Sequence, residues 1–124
     1  MTSCLIVDDS DIVRKTLRRM AEEYGFTCAE AENGEMAYDA CRGMMPDIIF
    51  LDWNMPVMNG LDFVKKLRKT AGGDKPKVIF CSSETAQKQI SRALDAGADE
   101  YIMKPFDAGI VQSKLRLLGL LGAY

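Results

Sequence analysis

The sequence predicts a doubly wound α/β domain, a parallel β-sheet with helices on both faces. Two patterns carry that expectation. Five short apolar runs alternate with five segments whose apolar residues recur at helical spacing, the signature of βα units. Two of the runs, Ile48-Ile49-Phe50-Leu51 and Val78-Ile79-Phe80, are apolar without alternation, as strands covered on both faces must be. The chain has 124 residues, the size of one domain. We therefore expect a single domain over residues 1–124, with no linker, repeat or output domain.

The elements follow in order. Ser3 to Val7 reads as the first strand, and Val13, Leu17, Met20 and Tyr24 mark a helix that Gly25 ends. Phe26 to Ala31 is a weaker strand, and Asn33 is placed to cap a helix carrying Met36, Ala37, Ala40 and Cys41. Asp47 to Leu51 is the third strand. Gly60 opens a helix with Leu61, Val64 and Leu67, and residues 71–76 form a loop. Lys77 to Cys81 is the fourth strand, followed by a helix with Ile90, Ala93 and Leu94 that Gly97 breaks. Glu100 to Met103 is the fifth strand, and the last helix carries Ile110, Val111, Leu115 and Leu118.

Composition narrows the function. Hydrophobic residues make up 48% and charged residues 27%, and the net charge is −2, which does not suit nucleic acid as the main partner. No apolar run approaches a membrane span and the amino terminus lacks a signal pattern, so a cytoplasmic protein is expected. Cys4, Cys28, Cys41 and Cys81 form no paired spacing and read as small reduced hydrophobes. The chain has no histidine, which excludes a Ser-His-Asp triad, a histidine metal site and a phosphohistidine of its own.

In doubly wound sheets the site lies at the carboxyl ends of the strands. Those ends hold Asp8-Asp9, Asp52, Ser82-Ser83 and Lys104-Pro105. Each has an ordinary reading: an acid pair starting a helix, a loop acid, a cap, a surface lysine. All falling at one edge is another matter. Two like charges at 4 Å repel by about 4 kcal/mol at an effective dielectric near 20. A hard divalent cation relieves that, and oxygen ligands suit Mg²⁺. A carboxylate nucleophile, a metal, an ammonium and a hydroxyl together make a phosphoryl-transfer site. Trp53, Met55 and Met58 read as local packing, and Pro56 as the end of the strand's turn.

With "LIVDDS", "LDWNMPVMNG", "CSSE" and "YIMKPF" in this order, the whole chain resembles the receiver domain of two-component response regulators. The resemblance implies the strand order 2-1-3-4-5 of a flavodoxin-like sheet. It implies that Asp52 accepts a phosphoryl group from a histidine kinase or histidine phosphotransferase. It implies Mg²⁺ on Asp8, Asp9, Asp52 and the carbonyl of Asn54, a switch hydroxyl on Ser82, and Lys104 before a cis-bonded Pro105. Tyr101 is implied to respond to Ser82; by itself it reads equally well as a half-exposed strand aromatic. Asn54 and Glu84 are implied to tune dephosphorylation toward a short-lived phosphate. Among stand-alone receivers the chain is most similar to the chemotaxis regulators, which implies a monomer whose target is a protein such as a flagellar switch component. Receivers of phosphorelays and cell-cycle pathways share the same core. Ser82 in place of the usual threonine and the bare ending "LLGLLGAY" depart from the chemotaxis pattern. A dehalogenase-like phosphatase would need a second acid as general acid where Asn54 stands. A scaffolding receiver would not need the full set of site residues, and nothing resembles a flavin phosphate loop.

Overall fold

The computed structural model describes residues 2–83 and 87–122. Five strands, β1 (Ser3–Val7), β2 (Thr27–Ala31), β3 (Ile48–Leu51), β4 (Lys77–Ser82) and β5 (Glu100–Met103), form one parallel sheet in the order β2-β1-β3-β4-β5. Helices α1 (Asp11–Glu23), α2 (Gly34–Gly43), α3 (Gly60–Arg68), α4 (Gln87–Ala96) and α5 (Ala108–Leu117) alternate with them.

The side-chain period of two sends each strand's residues to opposite faces. Leu5, Val7, Ile49, Leu51, Val78, Phe80 and Tyr101 pack with α2, α3 and α4. Cys4, Ile6, Ile48, Phe50, Ile79, Cys81 and Ile102 pack with α1 and α5. β3 is buried at all four positions, and β4 at all but Lys77. β2 is one of the two edge strands and exposes most of its length, which is why its pattern was weak in the sequence.

Helix starts follow the capping chemistry. The side chains of Ser10, Asn33, Asn59 and Asp107 each accept a hydrogen bond from a backbone N–H in the first turn of α1, α2, α3 and α5. Gly25 closes α1 with a φ of 85°. Small differences from the sequence reading arise at ends. Phe26 precedes β2 yet is buried, β4 runs on to Ser82, and Leu118 caps α5 instead of belonging to it. Leu94 and Ile110, expected on core faces, are each 45% exposed. In both helices a neighbour, Ala93 or Val111, takes the buried position, so the apolar stripe is narrower than the spacing suggested.

Arg68 is a structural residue that the sequence reading passed over. Its guanidinium donates to the carbonyls of Gly97 (3.0 and 2.8 Å), Gly73 (2.8 Å) and Pro76 (2.8 Å), and pairs with Asp99 at 3.1 Å. Asp99 in turn accepts from the backbone N–H of Val78 at 2.8 Å. One side chain thus ties the α3–β4 loop to the α4–β5 loop beneath the sheet. Arg68→Met removes these bonds and leaves partly buried carbonyls unpaired, a loss of about 2–3 kcal/mol. The melting temperature should fall by roughly 10 °C. A variant that melts with the wild type would show that the network contributes nothing net.

Candidate functional site at the carboxyl edge of the sheet

Because the chain leaves β1 toward β2 on one side and reaches β3 on the other, the two central strands end side by side. Asp8 directly follows β1 and Asp52 directly follows β3. Backbone bonds continue the ladder through both: Asp8 N–H donates to Ala31 at 3.1 Å, and Asp52 N–H donates to Val7 at 2.8 Å. Both side chains are therefore held where the sheet opens, and both are buried. Asp9 is exposed at the rim. One carboxylate oxygen from each of Asp8, Asp9 and Asp52 lies within 4.8 Å of the others.

Lys104 lies just past β5, and its backbone N–H donates to the Ser82 carbonyl at 2.9 Å. That bond carries the β4–β5 ladder one step beyond the strands. It brings the lysine over the acids, with Nζ 2.8 Å from Asp8 Oδ2 and 3.3 Å from Asp52 Oδ1. The Lys104–Pro105 peptide bond is cis. Asp8 Oδ1 accepts from Ser10 N–H at 2.9 Å, and Asp52 Oδ1 accepts from Trp53 N–H at 2.9 Å.

These surroundings set the charges. Burial pushes the Asp52 carboxyl up to about 6; the neighbouring Asp8 charge adds to this and Lys104 opposes it. For Lys104, burial disfavours the ammonium, but the hydrogen bond to Asp8 and the Asp52 charge outweigh it and raise its pKa. One ammonium is thus shared between two of three crowded carboxylates. An all-oxygen cluster with charge left unbalanced has the donor chemistry of a Mg²⁺ site.

The other predicted residues fall around this cluster. Ser82 is the last residue of β4 and is buried. Asn54 is exposed in the β3–α3 loop, two residues past Asp52. Glu84 lies outside the described residues. Tyr101 is 7% exposed, not half-exposed, because its ring stacks on Phe80 with centroids 6.2 Å apart. Phe80 also meets Trp53 at 5.2 Å, and the Arg92 guanidinium of α4 sits 5.7 Å over the Trp53 ring. An aromatic row therefore runs from the residue beside Asp52 to β5. Trp53 is buried in the core, and Met55 and Met58 pack against it, as the packing reading had them.

The β3–α3 loop is pinned at both ends: Gly34 N–H donates to Met58 at 2.9 Å and Gly60 N–H to Trp53 at 2.8 Å. Gly60 does more than open α3. A Cβ there would stand 2.1 Å from the Asp52 carbonyl oxygen. In the sequence it looked like an ordinary helix start, and only the approach of the two segments reveals the constraint.

Residues 4–116 match the response regulator receiver domain. The chain belongs to that family. The receiver is 36% identical over 122 residues to "Protein CcdB" of Bacillus subtilis, covering 96% of this chain and 99% of that one. It is 37% identical over 112 residues to the chemotaxis protein CheY of Thermotoga maritima, covering 90% and 92%. The solved structure of the chemotaxis response regulator CheY4 of Vibrio cholerae superposes with a TM-score of 0.89 at 27% identity, covering 95% of this receiver and 98% of that chain. Among the described residues no helix is long and apolar enough to cross a membrane.

Proposed function

We propose that this receiver is a phosphorylation-dependent switch in which Asp52 is the phosphoryl acceptor. The observation that carries the reading is the convergence of Asp8, Asp9, Asp52 and Lys104 on one edge, with Asp52 buried between a like charge and an ammonium. A carboxylate oxygen of Asp52 attacks the phosphorus of a phosphohistidine on a partner kinase or phosphotransferase. The P–N bond breaks, a P–O acyl phosphate forms, and the imidazole nitrogen leaves with the electron pair. Asp8, Asp9, Asp52 and the Asn54 carbonyl would hold Mg²⁺, which when bound neutralises charge on the phosphoryl oxygens. Lys104 answers the charge that develops beside Asp52. Asn54 and Glu84 are assigned to the path of the water that later removes the phosphate. In this reading the chain is a cytoplasmic, monomeric signalling protein and turns over no separate substrate.

The lone tryptophan adjoins Asp52, so its fluorescence should change on Mg²⁺ binding. Asp9→Ala deletes one carboxylate of the cluster and should remove most of that response. A titration curve that is the same in Asp9→Ala and wild type rejects this metal site.

The output follows from the added charge. A phosphoryl group brings about −1.5 to −2 charges and three strong acceptor oxygens. The Ser82 hydroxyl and Lys104 ammonium are assigned as the donors that meet them. Tyr101 is assigned as the side chain that carries the change to the face of α4, β5 and α5, where a target binds. Its stacking on Phe80 supports this, since the two strands are packed ring to ring there. A ligand shifts such an equilibrium only by its differential affinity for the two states. Ser82→Ala and Tyr101→Ala should each leave Asp52 phosphorylatable while reducing the gain in target affinity that beryllofluoride produces. A wild-type ratio in both variants would remove this pair from the coupling. The similarity to chemotaxis regulators supports a target in the flagellar switch. Capture of a flagellar switch protein on the beryllofluoride-loaded receiver supports that assignment; capture of a phosphotransferase alone replaces it with a relay.

A further inference from the structure

We infer that Arg14 is a positioning residue for the acid pair: its guanidinium locks the turn that delivers Asp8 and Asp9 to the edge, and so sets the affinity of that edge for a divalent cation. The inference rests on the metal-site reading above. Arg14 lies in the second turn of α1 and is only 7% exposed. An arginine buried to that extent needs partners for its donors. It has them on three elements. Nη1 donates to the main-chain carbonyl of Asp8 at 2.6 Å, Nε donates to Glu30 Oε1 of β2 at 3.1 Å, and Nη2 pairs with Asp11 in the first turn of α1.

The bond to Asp8 is the informative one. The N–H of Asp8 donates to Ala31, Oδ1 accepts from Ser10, and Oδ2 pairs with Lys104. With Arg14 on the carbonyl, every polar atom of Asp8 is held. The same carbonyl belongs to the peptide plane that leads into Asp9. Asp9 is exposed, so its aim depends on the backbone behind it. That peptide plane cannot rotate without breaking a buried, charge-assisted hydrogen bond. Glu30 steadies the other end. The hydrogen bond from Arg18 holds its carboxyl below the usual range, and Arg14 adds to this against the opposing effect of burial.

Charge alone would act in the opposite direction. Arg14 is a cation behind three carboxylates, and deleting a cation near such a cluster tightens Mg²⁺ binding by Coulomb's law. Its charge is, however, already matched by Glu30 and Asp11. Positioning and simple electrostatics therefore predict opposite signs for the same substitution.

The test uses Mg²⁺ alone as the probe, followed by Trp53 fluorescence and by calorimetry. It is run on the full chain at a temperature where circular dichroism shows each variant folded. Arg14→Met should weaken Mg²⁺ binding by about tenfold, the scale on which residues that orient metal ligands act. Arg14→Lys keeps the charge, but one ammonium cannot hold the carbonyl and Glu30 together, so it should recover only part of the affinity. Unchanged or tighter binding in Arg14→Met overturns the inference, whatever happens to its melting temperature. Full wild-type affinity in Arg14→Lys beside a weakened Arg14→Met also overturns it, because a single ammonium donor would then hold the turn and the guanidinium fork would not be what locks it. If Arg14→Met does not fold, Glu30→Gln loosens one anchor and retains Arg14; wild-type Mg²⁺ affinity in both Glu30→Gln and Arg14→Lys is the overturning result. A wild-type chain with no Mg²⁺ response sensitive to Asp9→Ala rejects the metal-site reading itself, and is told apart by needing no Arg14 variant.

Discussion

Asp52→Asn should abolish the acyl phosphate formed from a small phosphodonor in Mg²⁺, and should at the same time stabilise the fold near neutral pH. The first effect follows from the chemistry, because an amide oxygen cannot act as the carboxylate nucleophile. Mass spectrometry of the intact chain decides it: a phosphoryl adduct at wild-type level in the variant removes Asp52 as the acceptor. The second effect follows from the environment. Burial first, and the charge of Asp8 next, raise the carboxyl from 3.8 to about 6. A raised acid pKa means that the fold holds the protonated form more tightly, so the ionised form costs stability. The cost is complete above about pH 6, shrinks as pH falls through the folded value, and is gone below 3.8. At roughly 1.4 kcal/mol per unit, it is on the order of 2–3 kcal/mol. Asparagine never carries the charge, and its side-chain oxygen can still accept from Trp53 N–H. In metal-free buffer, urea denaturation should therefore show Asp52→Asn more stable than wild type near pH 7, with the two converging toward pH 4. A constant difference across that range would mean that the carboxylate's charge is not the cause.

Gly60→Ala should be among the most damaging single substitutions in the chain. The added methyl would stand 2.1 Å from the Asp52 carbonyl oxygen and 2.9 Å from a ring carbon of Phe80. Neither neighbour can yield cheaply. The carbonyl is main chain at the end of β3, and Phe80 is fully buried between Trp53 and Tyr101. Overpacking of this kind costs about 3 kcal/mol or more, a large share of the ~5–15 kcal/mol that holds a small domain together. We expect the melting temperature to fall by roughly 10 °C or more. Any folded fraction should also phosphorylate poorly, because the methyl displaces Asp52, the residue proposed as the phosphoryl acceptor. Gly43→Ala, where a Cβ meets nothing within 4 Å, is the control and should be neutral or mildly stabilising. Equal melting of the two variants would show that the loop beside Asp52 is free to shift.

The continuous apolar runs of β3 and β4 and the helical spacing of α1 and α3 were readable because burial on a sheet or helix imposes a period on the chain itself. The edge strand β2 was harder, since it is covered on few positions and its residues carry little pattern. Asp8, Asp9, Asp52, Ser82 and Lys104 could be picked out because each stands at or just past the carboxyl end of a strand, and a parallel sheet brings all such ends to one edge.

What lay beyond the sequence shares one physical cause: contacts between residues far apart in the chain leave no local period. The sharing of one ammonium between Asp8 and Asp52, across 96 and 52 positions, exists only once β5 lies beside β4. Arg14 and Arg68 look like solvated helix charges until the carbonyls of Asp8, Gly73, Pro76 and Gly97 arrive around them. Tyr101 was evenly poised between surface and core, and the position of Phe80 on the neighbouring strand decided it. From its sequence alone, then, this protein was determined to be a five-stranded α/β domain with an acidic, lysine-bearing edge. How tightly that edge is buried, where its charges go unbalanced, and which distant side chains hold its turns were decided by the tertiary structure. Those are matters of distance and dielectric, and both arise only when separate strands close on one another.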